Sequence, residues 1–241
     1  MAAVANDQEM SKLKAAREVH DDVPINNGAY VGIVQGTAQW RGLRVCCITG
    51  SGIASVMKKQ APGGVRKILG LDTANLGGIW QVAWGQQQEP LAVAAWCAKQ
   101  RAGTTVQSGG YYQHPQLPYV TMSPDAIAET PEHERFLVEV KSVAPKNGAA
   151  GRPTPLKPLA QCPPKYRDQL QHGMWVLGVT KSVLIQWNGT VYETWEEPMD
   201  AAWQATATTK CHAFYDRRLK PYWERKWDAM SALLVVLRAK E

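Results

Sequence analysis

The apolar positions in the first half of the chain predict two helices separated by a loop. An apolar-periodic run follows Thr49 and Ser51, and either hydroxyl side chain would cap the helix at its N-terminus. Residues 84–102 show a second helical pattern. Its regular part is predicted to begin near Glu89, because a proline follows and is tolerated in a first turn. The glycine-rich segment 60–78 between them is predicted to form loops.

The second half of the chain predicts strands, a helix and a hairpin. Residues 118–142 have the pattern of two short strands, and residues 182–197 alternate around Asn188 and Gly189, a dipeptide that favours a hairpin turn. A helix is predicted over 165–178 from an apolar stripe with helical spacing. The stripe consists of Tyr166, Leu170, Met174 and Leu177.

The order of these elements predicts an α/β fold, with a central mixed β-sheet flanked by helices. Residues 1–27 are polar and are predicted to be an N-terminal extension, while 28–241 would form a single domain. The proline- and glycine-rich stretch 143–164 shows no secondary structure, and loops of this length are usually functional or mobile. The tail after residue 199 is predicted to be helical, with a kink at Pro221.

Composition adds little to this picture. Of 241 residues, 45% are hydrophobic and 20% are charged, as in ordinary globular proteins with ample core material. The net charge of +6 is equally compatible with a polyanionic partner and with simple solubility. Five scattered cysteines without a C-x-x-C pair are typical of reduced thiols, and no segment has the pattern of a signal peptide or membrane span. We therefore expect a soluble cytoplasmic (intracellular) protein.

An acid and a lysine interrupt the apolar strand near residue 140. Successive strand residues face opposite sides, so Phe136 and Val138 would lie on one face and Leu137, Glu139 and Lys141 on the other. The first face is purely apolar, whereas the second ends in two charges about 6.7 Å apart along the strand. An unpaired buried charge is costly, so these two residues need partners or solvent.

Three interpretations account for the two charges. Glu139 and Lys141 form a salt bridge, or they lie at an exposed strand end, or they surround a metal ion and a water. The third is favoured by Ser123-Pro124-Asp125, which precedes them on the neighbouring strand of a predicted hairpin. Two carboxylates and the Val140 carbonyl would suit Mg²⁺, with Mn²⁺ as a substitute. This P-D…E-x-K pattern is the signature of the PD-(D/E)XK nuclease superfamily.

Four sequence blocks narrow the resemblance further. They are, in order along the chain, QGTAQWRGLRVCCITGS, WGQQQEPLA, SPDAI…LVEVKS and YRDQLQHGMWVLG. Together the blocks resemble the lambda-exonuclease (YqaJ-type) family of viral recombination exonucleases, over most of the chain from about residue 35. The resemblance implies a restriction-endonuclease-like core.

The resemblance also implies roles for residues around the predicted metal site. Asp125 and Glu139 would be the metal ligands, together with the Val140 carbonyl. Lys141 would be the catalytic lysine, and Glu89 would be a further acid at the metal site.

Four more polar residues fall in the matching blocks. By resemblance, Gln171 would support the lysine and the nucleotide, Arg44 would hold a 5′-phosphate, and Ser51 and Ser123 would bind phosphates nearby. A guanidinium binds phosphate bidentately, which agrees with the role of Arg44. The sequence departs from the family pattern at Ala126, where glycine is usual after P-D, and in the loop 143–164.

The activity that the resemblance implies is Mg²⁺-dependent 5′→3′ digestion of linear double-stranded DNA ends. Mononucleotides would be released, and the 3′ single-stranded tails would serve recombination by strand annealing. The implied partners are linear double-stranded DNA, two further copies in a ring-shaped homotrimer, and a single-strand annealing protein. A structure-specific DNA endonuclease and a catalytically inactive DNA-binding relative stay open as alternatives. The iron–sulfur-bearing relatives are disfavoured, because the cysteine spacing does not supply their ligands.

Overall fold

The computed structural model describes residues 29–30, 35–58, 62–69, 79–146, 148 and 151–225. The N-terminal extension predicted over 1–27 lies outside the described residues. Within them, no helix is both long enough and apolar enough to cross a membrane.

The described part of the chain contains nine strands and six helices, followed by a π-helical turn and the helical residues 220–225. The helices are α1 (Ala38–Leu43), α2 (Ile53–Met57), α3 (Pro62–Ile68), α4 (Trp80–Cys97), α5 (Pro164–Leu177) and α6 (Ala201–Phe214). The strands are β1 (Ala29–Tyr30), β2 (Ile48–Thr49), β3 (Thr105–Ser108), β4 (Tyr111–His114), β5 (Leu117–Met122), β6 (Ala126–Glu129), β7 (Arg135–Ser142), β8 (Lys181–Trp187) and β9 (Tyr192–Pro198).

The strands form two mixed sheets, where one central sheet was predicted. The larger sheet has the order β3-β6-β7-β8-β9, with β7 and β8 parallel and the other neighbours antiparallel. The smaller sheet has the order β1-β4-β5-β2, in which β2 and β5 are parallel. The α/β class with flanking helices is confirmed. The region between β5 and β6, which holds Ser123 and Asp125, connects the two sheets.

The two faces of β7 pack against different helices, as its alternation predicts. Phe136 and Val138 belong to a buried cluster with Trp96 of α4. Leu137, on the opposite face, belongs to the other core cluster, which includes Leu170 of α5. The larger sheet therefore lies between α4 and α5. The charged end of β7, with Glu139 and Lys141, is adjacent to both helices.

Three predictions for the first half need correction. Gly52 is the N-cap of α2, no side chain caps that helix, and neither Thr49 nor Ser51 fills this role. Helix α3 occupies part of the segment predicted as loops. Helix α4 begins at Trp80, well before Glu89, because the ring of Pro90 lies on an exposed side of the helix, where the missing backbone hydrogen bond faces water.

The second half follows its predicted pattern, except that residues 118–142, predicted as two strands, contain most of β5 and all of β6 and β7. Leu170 and Met174 of the stripe are fully buried, and the hairpin of β8 and β9 turns at Asn188 and Gly189. The described residues between β7 and α5 contain no helix or strand. After α6, a π-helical turn over Tyr215–Leu219 comes just before the predicted kink, and such turns commonly bend helices.

Buried His172 makes the stability of the fold depend on pH. Its Nε2 lies 2.9 Å from the Thr121 carbonyl, its Nδ1 has no partner, and burial lowers the pKa of the imidazole to about 4. An unfolded histidine titrates near 6.5, so between pH ~6.5 and ~4 the unfolded chain binds the additional proton. Stability therefore falls as the pH drops through this window, by up to about 1.4 kcal/mol per pH unit.

We expect His172→Gln to flatten this dependence. Urea unfolding at pH 7 and pH 5 should show a smaller loss of unfolding free energy for the variant than for the wild type. Exposed His133→Gln is the control and should keep the wild-type slope. Equal losses in wild type and His172→Gln would contradict the prediction.

Candidate active site

The antiparallel register of β6 and β7 brings the first two predicted carboxylates together. Ala126 pairs with Val138, so Asp125, one residue earlier, lies opposite Glu139, one residue later. Directly opposite strand residues have Cβ atoms about 4.5–5.5 Å apart. The Val140 backbone N–H donates to Asp125 Oδ2 at 2.7 Å, which fixes this carboxylate at the strand end and leaves Oδ1 for another partner.

Glu139 is the buried centre of the cluster, with a relative exposure of 2%. Its Oε1 accepts hydrogen bonds from Lys141 Nζ at 2.6 Å and from the Gln169 amide of α5. Its Oε2 is buried and has no hydrogen-bond partner. A buried carboxylate oxygen without a donor is unfavourable, and it therefore marks a place for a missing positive partner.

The charges of this cluster shift one another's protonation. Desolvation raises the pKa of Asp125 well above its usual range, the nearby charges of Glu139 and Glu89 add to that rise, and Lys141 opposes it. Burial alone would lower the pKa of Lys141, but the negative charges of Glu139 and Asp125 outweigh burial and raise it. The ammonium of Lys141 is thus held charged by the carboxylates, with its side chain 23% exposed.

A divalent cation fits the arrangement. Among the described residues, no three His, Cys, Asp or Glu side chains converge in a metal-binding geometry, so Asp125 and Glu139 would need a backbone oxygen and water to complete the shell. Val140 borders the adjacent cleft, where its carbonyl is the candidate. The unsatisfied Glu139 Oε2 and the close approach of Asp125 are the features that a hard cation would satisfy.

A cleft of about 300 Å³ opens beside the carboxylates, at the C-terminal end of β7. Its floor is the end of that strand, one wall is α4 and the other includes Tyr166 of α5. Glu89 lines the α4 wall, and its pKa is raised by burial first and by the charge of Glu139 second. Glu89 therefore belongs to the same electrostatic cluster without being a third ligand in the described geometry.

Arg44 and Ser123 form a second polar group. Ser123 Oγ accepts a hydrogen bond from Trp40 Nε1 at 2.8 Å and lies 3.4 Å from the Arg44 guanidinium, which stacks 4.2 Å from the centroid of the Trp40 ring. Burial lowers the pKa of Arg44, and within the described chain this guanidinium has no carboxylate partner. Ser123, which links this guanidinium to the site, lies two residues before Asp125.

Ser51 lies near this group by topology, and no described contact joins it to Arg44. β2 and β5 are parallel neighbours, so Ser51 and Ser123 follow adjacent strands at the same sheet edge. Ser51 is exposed, and its Oγ lies 3.4 Å from the Thr49 hydroxyl.

The structure does not bring Gln171 to the carboxylates, which corrects its predicted role. Its amide bonds to the Pro198 carbonyl at 2.8 Å, to Glu197 Oε1 at 3.2 Å and to the Asp200 backbone N–H at 2.8 Å. Residues two apart on a helix point about 200° apart. The glutamine that reaches the site is therefore Gln169.

Gln169 and Tyr166 are the site residues that the sequence interpretation missed. They lie three positions apart on α5, so they share one face, and Lys141 Nζ lies 5.7 Å from the centroid of the Tyr166 ring. This i, i+3 spacing in the sequence indicates that Tyr166 and Gln169 lie on the same face of the helix. The sequence alone did not decide which of the two glutamines faces the strand.

Comparison with known proteins places the chain in a family. The model of the YqaJ-like viral recombinase domain matches residues 39–181, which include Glu89, Asp125, Glu139 and Lys141. No curated protein matches the chain.

Solved structures with a similar fold include several nucleases. An alkaline exonuclease, LHK-Exo from Laribacter hongkongensis, superposes with a TM-score of 0.58 at 21% identity over 82% of this chain and 100% of its own. A structure of LHK-Exo in complex with dAMP matches equally well. A phage-related exonuclease from Haemophilus somnus 129PT gives a TM-score of 0.50 at 10% identity, over 76% of this chain and 96% of its own.

A SOX–DNA complex gives a TM-score of 0.51 at 10% identity, over 78% of this chain and 68% of its own. At these identities the structural likeness establishes the fold, and the domain match establishes the family. The chain therefore belongs to the YqaJ-like viral recombinase family.

Proposed function

We propose that this protein is a Mg²⁺-dependent 5′→3′ exonuclease that acts on linear double-stranded DNA ends. It releases mononucleotides and leaves 3′ single-stranded tails for recombination by strand annealing. The observation that carries the proposal is the pairing of Asp125 with the buried Glu139, whose Oε2 has no hydrogen-bond partner, directly beside Lys141, which lines the cleft. Carboxylates that hold a cation, with a proton-donating group beside them, can together catalyse phosphodiester hydrolysis.

The structural neighbours support the substrate and product classes. LHK-Exo is described as an alkaline exonuclease, and one of its structures holds dAMP, a deoxynucleoside monophosphate. The SOX structure is a complex with DNA. We extend to this chain the DNA substrate and the mononucleotide product.

Asp125, Glu139 and the Val140 carbonyl would hold the Mg²⁺ ion, for which Mn²⁺ is a plausible substitute. When bound, the ion supplies Lewis-acid polarisation of the phosphate and lowers the pKa of a nearby water. Glu89 adds negative charge to the same cleft and would favour cation binding there.

Lys141 and Gln169 orient the carboxylate of Glu139, and Lys141 can also reach the reacting groups. Both donate to Glu139 Oε1, so they hold the buried carboxylate in one orientation, with Oε2 directed away from them. The partly exposed ammonium of Lys141 can also donate to a phosphate oxygen or to a water in the cleft, and neutralise charge that develops during hydrolysis. Gln169 is a positioning residue, since its contact is with Glu139.

Arg44 and Ser123 would receive the terminal 5′-phosphate. Trp40 holds both side chains, so the guanidinium is oriented before DNA arrives. A bidentate guanidinium–phosphate contact would set the register of the chain end against the carboxylates. Ser51, at the same sheet edge, would add a hydroxyl donor. This arrangement favours digestion from a 5′ end.

The assembly belongs to the proposal as well. A ring-shaped homotrimer threaded by DNA and a single-strand annealing protein as partner are what the family resemblance implies. Light scattering on the purified protein would test the trimer, since a monomeric mass would contradict it.

Removal of the Lys141 ammonium should abolish digestion. We expect Lys141→Ala to lower the rate of nucleotide release from 5′-phosphorylated linear duplex DNA by about 10²–10⁴-fold, the usual contribution of a positioned acid–base group. Wild-type digestion should require Mg²⁺ and stop with EDTA. Exposed Lys99→Ala is the matched control and should digest like the wild type.

Closed circular DNA decides between the two nuclease mechanisms. An exonuclease leaves it intact, whereas cutting of circles would replace the proposal by the structure-specific endonuclease alternative. DNA binding without any digestion would support the inactive relative.

The Arg44 guanidinium should confer preference for 5′-phosphate ends. We expect Arg44→Gln to reduce the ratio of digestion rates on 5′-phosphate and 5′-hydroxyl ends by about tenfold or more, because hydrogen bonds to charged groups contribute about 1.5–3 kcal/mol. Arg41→Gln changes an exposed arginine of α1, three residues before Arg44, and should leave the ratio unchanged. An unchanged ratio in Arg44→Gln would place the end-recognition site elsewhere.

The two glutamines of α5 should separate activity from stability. Gln169→Ala removes a donor to Glu139 and should lower turnover by at least about tenfold while the melting temperature stays near that of the wild type. Gln171→Ala removes three hydrogen bonds from a fully buried position and should lower the unfolding free energy by about 2–4 kcal/mol. The readouts are thermal unfolding and nucleotide release well below the transition. Lost turnover with unchanged stability in Gln171→Ala would contradict this assignment.

A further inference from the structure

The α4 wall of the cleft contains a glycine in the interior of a helix. Gly85 lines the cleft with Gln81 and Gln86, and it lies one turn before Glu89, on the same side of the helix. A glycine within a helix is less favourable than alanine, because it loses more backbone freedom on folding. A reason for glycine at this position is therefore required.

The protein itself provides no reason. A Cβ added to Gly64 would meet the Ser55 side chain at 2.3 Å, and one added to Gly173 would meet Leu137 at 2.5 Å, so internal packing requires both of those helical glycines. At Gly85 a Cβ would meet no atom within 4 Å, and its helical backbone is open to any L residue. The space that the missing side chain leaves belongs to the cleft.

A second feature of the same wall involves the backbone. Pro90 has no N–H, so the Gln86 carbonyl lacks the donor that a helix would normally supply to it. Gln86 borders the cleft. The bare backbone at Gly85 is thus followed by a residue whose carbonyl lacks the usual N–H donor of the helix.

We propose that Gly85 is a substrate-contact position, where the sugar and base edge of the nucleotide next to the scissile phosphate pack directly on the backbone of α4. Close approach of backbone to a ligand is one of the standard uses of glycine. Tyr166 forms the opposite wall, and Lys141 lies on the floor between them. A volume of about 300 Å³ suits a ligand of nucleotide size and is far too small for a duplex.

The inference rests on the proposed nuclease function, because it assigns the occupant of that cleft. The position of Gly85 favours substrate over a second copy of the chain. Glu89 is one turn away on the same wall. After burial, the charge of Glu139 raises the pKa of the Glu89 carboxyl group and the charge of Lys141 lowers it. A group that packs on Gly85 therefore lies within the electrostatic reach of the reacting centre.

The test compares stability with turnover in a size series at one position. Gly85→Ala and Gly85→Leu both improve helix propensity, and Gln87→Leu adds the same side chain on the opposite, exposed side of α4 as the matched control. The measurements are the thermal unfolding midpoint, kcat and KM for nucleotide release from linear duplex DNA with Mg²⁺, and binding of that DNA in EDTA.

We expect the thermal unfolding midpoint of Gly85→Ala to equal that of the wild type or to exceed it by up to about 2–4 °C. Its kcat/KM should nevertheless fall by about tenfold, because a misplaced nucleotide misaligns the phosphate, and that of Gly85→Leu by about a hundredfold. Gln87→Leu should match the wild type in turnover. A loss of activity coupled to a gain in stability is an outcome that a merely structural glycine does not produce.

Three results would overturn the proposal. Wild-type kcat/KM in both Gly85 variants would show that the space is not used. A fall in activity that tracks a fall in melting temperature would make the glycine structural. A changed oligomeric mass in Gly85→Leu would assign this wall to contact between copies.

The failure of the proposed function would be visible separately. It is judged on the wild type and on Lys141→Ala, whereas the inference on Gly85 is judged on ratios between variants. If the wild type binds duplex DNA without digesting it, Gly85→Leu must still weaken that binding relative to Gln87→Leu, and equal binding overturns the inference.

Discussion

The buried carboxylate of Glu139 is the constraint on which the rest of the site depends. Taking such a charge out of water is costly unless every oxygen has a partner, and one of its oxygens has none. Counted as fully ionised, Asp125, Glu139 and Glu89 carry three negative charges against the single positive charge of Lys141. The deficit of two charges is the one that a divalent cation would remove. Burial, together with the charges of Glu139 and Glu89, raises the pKa of Asp125.

The fold supplies the precision that this charge arrangement needs. β7 is hydrogen-bonded on both sides, so the carboxylate rises from the rigid centre of a sheet and not from a loop. Helix α5 approaches β7 closely because Gly173 has no side chain, and a Cβ there would lie 2.5 Å from Leu137. Gln169 is one helical turn before Gly173 on the same face, so this close packing is what brings its amide to Glu139.

Sequence patterns predicted the strand-borne part of the site well and the helix-borne part poorly. Strand alternation is strict, so the two faces of β7 followed from residue order alone. The predicted hairpin allowed Asp125 to meet Glu139, and the register of β6 and β7 places them opposite each other. On α5, Gln169 and Gln171 are equally plausible by composition, and only tertiary packing decides which one faces the strand. Pro90 misled the prediction of where α4 begins, because a local propensity rule does not reveal that the ring lies on a solvent-facing side.

The block WGQQQEPLA gains a physical interpretation from its helix. Trp84 and Gln88 share one side of α4 and contact the turn after β8: an added Cβ at Gly189 would lie 3.2 Å from the Trp84 ring, and Gln88 accepts from Trp187. Gly85 and Glu89, each one position later, face the cleft. Each i, i+4 pair thus lies on one side of the helix. Trp84 and Gln88 anchor α4 to the sheet, and Gly85 and Glu89 form the side that we propose contacts the substrate. Gly85 and Glu89, four residues apart, therefore define one wall of the cleft. The glycine leaves space there, and the glutamate supplies negative charge.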